Sequence, residues 1–134
     1  MTETVLDASA VLAYLLGEPG EELVGEVLEL GLGVISAVNL SEVAAKLAEG
    51  AMSHPEIEEV LAGLDLRVVP CDRAQALASA WLRGPTRPLG LSLGDRACLA
   101  LAEQLSLPVL TTDRAWLGLP GNLAIRVLRT RGPE

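Results

Sequence analysis

The chain has 134 residues, enough for one domain with a single hydrophobic core. It contains one histidine and two cysteines, Cys71 and Cys98, that are far apart in sequence, which argues against a histidine-based triad and against a zinc site built from thiolates or imidazoles. We interpret the cysteines as reduced. No apolar run approaches the roughly 20 residues that span a bilayer, so we predict a cytoplasmic protein without a membrane partner.

The formal net charge of −8 is unevenly distributed. Residues 1–66 contain thirteen acidic groups and a single cation, Lys46, whereas residues 67–134 contain nine arginines and five acidic groups. Arginine suits phosphate recognition because its planar fork of donors matches phosphate oxygens. We therefore expect a phosphate-bearing partner over the second half, where Arg87 and Arg96 are the leading candidates. The alternative is that these arginines are solvated or pair with the acidic half.

Apolar runs alternate with helical patterns along the chain. The apolar runs predict strands at 4–6, 33–36, 66–70, 108–112 and 124–128. The helical patterns predict helices at 8–16, 20–31, 39–50, 55–63, 72–83 and 92–106. This alternation predicts an α/β fold with three layers, in which helices cover both faces of a central parallel sheet of four to five strands. We expect one domain over residues 1–134, with an extended loop at 84–91.

Four acidic residues lie at the ends of predicted strands or the beginnings of predicted helices. Asp7 and Asp113 each follow a strand, and Glu42 and Asp95 lie in first turns of helices. Ligands of a doubly wound sheet bind outside the carboxyl ends of its strands, so all four carboxylates should converge on one rim. They would repel one another, and at least one should have a raised pKa. Such a cluster makes sense mainly as a cage for a hard divalent cation.

Each of these carboxylates also has a purely structural interpretation. Asp7 and Asp113 could cap helices, a role that aspartate favours. Asn39 and Glu42 have the spacing of a capping box, with Asn39 as the cap. Asp95 lies where a helix macrodipole favours negative charge. The functional interpretation therefore depends on all four residues together.

In these residues the chain resembles PIN-domain ribonucleases, and most of all the VapC-type toxins of VapBC toxin–antitoxin pairs. The matching stretches, in chain order, are Val5-Leu-Asp7-Ala-Ser9-Ala-Val-Leu-Ala, Asn39-Leu-Ser-Glu42-Val, Leu91-Ser-Leu-Gly-Asp95-Arg-Ala-Cys-Leu-Ala and Val109-Leu-Thr111-Thr-Asp113-Arg-Ala-Trp116. Each motif is short, but four in this order are specific, and with the strand–helix alternation the resemblance covers essentially the whole chain.

The resemblance implies an endoribonuclease that depends on Mg²⁺ or Mn²⁺. Its acidic site would consist of Asp7, Glu42, Asp95 and Asp113. Because Mg²⁺ needs only one or two direct carboxylates, we expect Asp7 and Asp95 to be the surest ligands. The other two would be further ligands or would position the attacking water.

The family also favours small hydroxyl residues beside the first and last acidic positions. Here they are Ser9 and Thr111, which would orient carboxylates or metal-bound water, or would serve only as caps and strand-end hydrogen bonds. Trp116 is expected to be a packing residue, and Trp81 and Tyr14 to lie in the core or an interface.

The expected partners are RNA as substrate, a second copy of the chain, and an antitoxin. The helices at 8–16 and 39–50 carry more apolar side chains than one small sheet is expected to bury, which predicts a homodimer. The resemblance adds a cognate antitoxin whose C-terminal segment would cover the acidic groove.

Two other classes of function stay open. A different acidic-pocket phosphoryl hydrolase or a receiver domain usually needs a lysine near the phosphate, but we expect Lys46, the only lysine, to pair with Glu42 on the helix surface. A PIN-like module without catalysis could serve as a protein-interaction scaffold, although the intact acidic quartet argues against loss of activity.

Overall fold

A computed structural model of the chain describes residues 2–119 and the strand Val127–Arg129. The strands are β1 Thr4–Leu6, β2 Gly33–Ser36, β3 Arg67–Val69, β4 Val109–Thr111 and β5 Val127–Arg129. The helices are α1 Ala8–Leu16, α2 Glu21–Glu29, α3 Ala37–Ala48, α4 His54–Gly63, α5 Arg73–Trp81, α6 Arg83–Thr86 and α7 Leu93–Leu105, with 3₁₀ turns at Arg87–Leu89 and Arg114–Gly118. The predicted first part of the last strand, residues 124–126, lies outside the described residues.

The described strands form one five-stranded sheet in the order β3-β2-β1-β4-β5, and each neighbouring pair is parallel. The predicted α/β fold with a parallel sheet is confirmed. Because β1 lies between β2 and β4, the carboxyl ends of these three strands meet at one edge. Asp7 follows the first of them at this edge.

Neighbouring residues of each central strand belong to two different hydrophobic cores. Leu6, Ile35 and Leu110 pack with α1, α2, α3 and α4. Val5, Val34 and Val109 pack with α7 and with Leu82 and Trp116. Successive side chains of a strand point to opposite faces of the sheet, so the continuous apolar runs predicted for these strands fill both faces. The sheet and the helices packed on its two faces therefore form the three predicted layers.

The beginning of α3 differs from the prediction. The helix begins at Ala37, and the cap is Ser36, the last residue of β2, whose Oγ accepts a hydrogen bond from Val38 N at 3.2 Å. Asn39 is therefore not a cap, and the predicted capping box with Glu42 is wrong. Asn39 instead lies inside the first turn, where its side chain is buried.

Residues 84–91 form short helices rather than the predicted extended loop. α6 continues almost directly from α5, and the first 3₁₀ turn follows it. Thr86 stabilises this path because its Oγ1 donates to the carbonyl of Leu82 at 2.7 Å. Gly90, with φ +63°, ends the 3₁₀ turn in the left-handed region that favours glycine.

The apolar side chains of α1 and α3 that predicted an interface differ in burial. Val11 and Val43 are completely buried and Leu47 nearly so, whereas Leu16 is 53% exposed. Leu12 and Leu15 are only partly buried against the first core, so some apolar surface remains on α1, and the homodimer stays a prediction.

Several smaller predictions can be compared directly with the structure. Trp116 is buried, which confirms that it packs, whereas Trp81 is 71% exposed and does not lie in the core. Lys46 forms an ion pair with Glu49 at 3.2 Å rather than with Glu42, so that predicted pair is wrong. Both cysteines are free, as predicted. No helix within the described residues is long and apolar enough to cross a membrane.

Candidate active site

Asp7 lies between β1 and α1 and is only 4% exposed. Its Oδ1 accepts a hydrogen bond from Ala10 N at 2.8 Å, so it caps α1. The Ser9 hydroxyl contacts both carboxylate oxygens, at 2.8 and 2.9 Å, and the Thr111 hydroxyl donates to Oδ2 at 2.6 Å. The carboxylate is therefore fixed by one backbone and two hydroxyl groups.

The two hydroxyl groups also connect the ends of β1 and β4. Ser9 Oγ accepts a hydrogen bond from Thr112 N at 3.2 Å, and Thr111 Oγ1 accepts one from Asp113 N at 2.9 Å. Each hydroxyl thus accepts from the backbone after β4 while it contacts Asp7. The orientation of Asp7 and the path of the chain toward Asp113 depend on the same hydrogen bonds.

The pKa of Asp7 is raised from 3.8 to about 6. Burial is the main cause because it disfavours the charged form, and the negative charge of Asp95 adds a smaller increase. Hydrogen bonds from Thr111, Ala10 and Ser9 act in the opposite direction. The sequence predicted a raised pKa in this cluster, but it attributed the shift to repulsion between carboxylates rather than to burial.

Glu42 is held between α3 and α7 through Asn39. The Asn39 amide nitrogen donates to Glu42 Oε1 at 2.8 Å and to the carbonyl oxygen of Gly94 at 2.9 Å. A Cβ on Gly94 would overlap the Glu42 carboxylate, so only glycine leaves room for it there. Because both contacts of the amide nitrogen are with acceptors, the amide can have only this orientation. Its Oδ1 is buried and has no hydrogen-bond partner among the described residues.

Asp95 and Asp113 both have the structural roles that the sequence suggested. Asp95 Oδ2 accepts from Ser92 N at 2.9 Å while Ser92 Oγ accepts from Asp95 N at 3.2 Å, which forms a capping box at the start of α7. Asp113 caps the second 3₁₀ turn, where its Oδ1 accepts from Ala115 N at 2.9 Å. A carboxylate has about four lone-pair sites, so one such bond leaves acceptor capacity for a ligand.

Three of the carboxylates lie around one buried thiol. The pKa of Cys98 is raised, first by complete burial and then by the negative charges of Asp7, Asp95 and Glu42. Such electrostatic effects weaken with distance, so the three side chains share one neighbourhood. Asp113 joins them through the backbone hydrogen bond to Thr111. The joint action of the four carboxylates as one metal site stays a prediction.

The donor chemistry of this cluster suits a hard divalent cation because it consists of carboxylate and hydroxyl oxygens. Within residues 2–119, however, no three acidic, histidine or cysteine side chains are arranged to hold a metal ion directly. The cluster therefore fits an ion with one or two direct carboxylates and several waters, which is the usual coordination of Mg²⁺ in proteins.

The two arginines predicted to contact substrate line one cavity next to the start of α7. Arg87 is exposed, and Arg96 is partly buried with its Nη1 donating to the carbonyl of Ser79 at 3.0 Å. Arg83, which lies in the same arginine-rich half but was not predicted as a substrate contact, lines the same cavity. Asn39 and Gly94 were also missed as site residues. The Asn39–Glu42 spacing was visible but was assigned to a helix cap.

The PIN domain family model matches residues 4–121. The chain belongs to the PIN domain family. It is 31% identical over 116 residues to Ribonuclease VapC42 of Mycobacterium tuberculosis, in an alignment that covers 79% of this chain and 87% of that protein. The VapC ribonuclease Mb2780c of Mycobacterium bovis matches with the same identity and coverage.

Solved structures of low sequence identity share the fold of this PIN domain. A toxin–antitoxin complex from Klebsiella pneumoniae has a TM-score of 0.72 at 19% identity, with 97% of this chain and 99% of that chain covered. DNA-bound VapBC from Salmonella typhimurium has a TM-score of 0.70 at 20% identity, with 96% and 98% covered. The predicted PIN-like fold is confirmed.

Proposed function

We propose that this PIN-domain protein is a Mg²⁺- or Mn²⁺-dependent endoribonuclease that serves as the toxin of a type II toxin–antitoxin pair. The observation that carries the proposal is the buried Asp7 carboxylate at the carboxyl edge of the sheet, which Ser9 and Thr111 fix by hydrogen bonds. The relatives named VapC ribonuclease support the same reaction. RNA is the proposed substrate.

The acidic residues would bind the ion in two ways. Asp7 and Asp95 are the proposed direct ligands, and Glu42 and Asp113 are further ligands or position the attacking water. A bound divalent ion lowers the pKa of a coordinated water, orients the phosphate and neutralises charge on the leaving oxygen.

The remaining proposed roles belong to neutral and basic side chains. Ser9 and Thr111 keep the Asp7 oxygens in place through their hydrogen bonds. Asn39 restricts the position of Glu42 in the same way. Arg87 and Arg96 would contact backbone phosphates of the RNA, where arginine can form paired hydrogen bonds.

Cleavage of RNA by variants of the acidic site tests the proposal. We expect the purified protein to cleave RNA in Mg²⁺ or Mn²⁺, and EDTA to stop the reaction. Asp7→Asn and Asp95→Asn should each remove activity with the fold retained by circular dichroism. Glu58→Gln, which neutralises an exposed carboxylate on α4, is the matched control and should be fully active. Cleavage in EDTA, or by either aspartate variant at the normal rate, would contradict the assignment.

We further propose an antitoxin and a homodimer as partners. The neighbouring structures described as toxin–antitoxin and VapBC complexes support the antitoxin. Its C-terminal segment would cover the acidic groove, so we expect the co-expressed antitoxin to co-purify and to inhibit cleavage. Light scattering at micromolar concentration measures the homodimer directly, and a monomer under those conditions would contradict it.

A PIN scaffold without catalysis is the second candidate function. The observation in its favour is that the described residues contain no preformed metal cluster of three ligands. This candidate requires that purified protein fail to cleave RNA in either metal while it still binds its partner. Asp7→Asn would then have no effect on any measured activity.

A further inference from the structure

A cavity of about 370 Å³ lies next to the acidic site, and all the charged side chains that line it are basic. Its lining includes Arg83, Arg87 and Arg96 together with Thr86, Ser92 and Leu93. Asp95 accepts a hydrogen bond from Ser92 N at 2.9 Å. The wall of this basic cavity is therefore one hydrogen bond away from a carboxylate of the acidic site.

None of the three arginines of the cavity forms an ion pair with a carboxylate among the described side chains. The ion pairs found among the described side chains are Lys46–Glu49 and Arg67–Glu3, and neither involves an arginine of the cavity. Three guanidinium groups that share one cavity repel one another. An anion in the cavity would relieve that repulsion.

Arg96 is held rigidly but keeps unused donors. Its Nη1 donates to the carbonyl of Ser79, a residue that is 1% exposed, and this bond fixes the guanidinium against α5. Its Nε is buried without a hydrogen-bond partner in the part of the chain that the structure describes. Buried donors of a charged group are normally paired, so the guanidinium of Arg96, which lines the cavity, has an incomplete set of hydrogen bonds.

The beginning of α7 forms part of the same wall. The first turn of a helix leaves backbone N–H groups without intrahelical acceptors and carries a partial positive charge. Ser92 Oγ accepts from only one of them, that of Asp95. The N–H groups of this turn therefore add donors beside the arginines, although the Asp95 carboxylate in the same turn offsets part of the positive potential.

We propose that this cavity binds a backbone phosphate of RNA next to the phosphate held at the acidic site. The inference rests on the proposed ribonuclease function and adds a specific phosphate subsite to it. A phosphate is favoured over a protein carboxylate because three guanidinium groups offer more donors and more charge than one carboxylate can satisfy. Adjacent phosphates of one strand would also cover both sites at once.

Fluorescence anisotropy with a 5′-fluorescein, mixed-sequence 12-mer RNA measures this binding. The titration uses the Asp7→Asn protein in Mg²⁺, so that the RNA is not hydrolysed. Arg83→Gln combined with Arg87→Gln removes two exposed cations of the cavity and should raise the Kd for RNA about tenfold at low salt. The steepness of log K against log salt should fall by about 0.7, the value for one lost phosphate contact on a single strand. Arg96→Gln should also raise Kd and reduce the salt dependence.

Arg73→Gln is the matched control because Arg73 is also exposed and lies at the other end of α5. We expect its Kd and salt slope to remain those of the parent protein. An equal loss of affinity in Arg73→Gln would show a general effect of charge and overturn the subsite. Unchanged RNA binding in both the double variant and Arg96→Gln would also overturn the phosphate subsite. This holds even if the same variants bind the antitoxin more weakly.

The subsite and the proposed function can fail separately. If Asp7→Asn still cleaves RNA while the cavity variants bind it weakly, the catalytic assignment is wrong and the phosphate subsite stands. If Asp7→Asn is inactive and the cavity variants bind RNA normally, the subsite is wrong and the ribonuclease proposal stands.

Discussion

Replacing Asp7 by asparagine should stabilise the metal-free protein at neutral pH. The pKa of Asp7 is about 6 in the folded protein, against 3.8 for an unperturbed aspartate. The folded state therefore binds this proton more tightly than the unfolded chain does. The contribution to folding is fully present below pH 3.8 and is lost as the pH rises through about 6. The difference between the two pKa values corresponds to about 3 kcal/mol of folding free energy at neutral pH. Because asparagine does not ionise, the variant does not lose this free energy as the pH rises.

Part of this gain is offset by the changed hydrogen bonds. An asparagine Oδ1 can still accept from Ala10 N and keep the cap of α1. Its amide nitrogen cannot accept from Thr111, so that hydroxyl has to rotate and act as an acceptor, whereas Ser9 can still donate to Oδ1. The loss of about one net hydrogen bond costs about 1 kcal/mol. A net gain of about 2 kcal/mol would raise Tm by about 7 °C for a chain of this length.

Thermal unfolding of wild type and Asp7→Asn in EDTA at pH 4 and pH 7.5 tests this reasoning. We expect the variant to melt higher at pH 7.5 and the difference to shrink or reverse at pH 4. Millimolar Mg²⁺ should also reduce the difference at pH 7.5, because it stabilises the native wild type by mass action. Glu58→Gln, with an exposed carboxylate, should melt like wild type at both values. A variant that is destabilised equally at both values would show that burial of the Asp7 charge costs nothing.

Two further predictions concern neighbours of this carboxylate. Gly94→Ala should reduce kcat at least tenfold with the fold retained, because the added Cβ displaces the Glu42 carboxylate. The control is Gly63→Ala, whose added Cβ has no atom within 4 Å, and it should leave kcat unchanged. Equal kcat values would refute the role of Gly94. Thiol titration with Ellman's reagent should find one reactive group, Cys71, in the native protein and two in denaturant, because the thiol of Cys98 is buried and its pKa is raised. Rapid reaction of both native thiols would contradict the burial.

The sheet was predictable because its signal is local. Apolar runs of three to five residues that alternate with helical patterns identify the strands and helices without knowledge of their packing. The sequence prediction fails where one residue belongs to two elements, or where tertiary contacts determine the secondary structure. Ser36 ends β2 and also caps α3, so the strand and the helix follow each other without a loop. The sequence pattern assigned Ser36 to the strand alone, and the predicted helix therefore began too late. Pro85, Pro88 and the glycines around them predicted a loop at 84–91, but the contact of Thr86 with Leu82 keeps the segment helical.

The acidic residues of the candidate site were predictable for a different reason. Asp7 and Asp113 follow strands and Asp95 lies in the first turn of α7, as the topology of a parallel sheet predicts. The predicted position of Glu42 in a first turn is wrong, because α3 begins at Ala37 and Glu42 lies in its second turn. The partners of Glu42 were not predictable in this way. Asn39 and Gly94 are 55 residues apart in sequence, and their contact exists only because α3 packs against α7. The cause of the Asp7 shift was missed as well, because burial depends on the complete fold.

The hydrogen bond from Thr111 to Asp7 has a consequence for the synthesis of the protein. It joins residues 104 positions apart, and it forms between β1 and β4, which are neighbours in the middle of the sheet. Contacts so distant in sequence form late because a long loop has to close first. A nascent chain that has not yet released Thr111 from the ribosome lacks the group that holds the Asp7 carboxylate. The candidate site is therefore completed only after β4 has been synthesised, when every buried residue of the first core except Leu110 has already been available to fold.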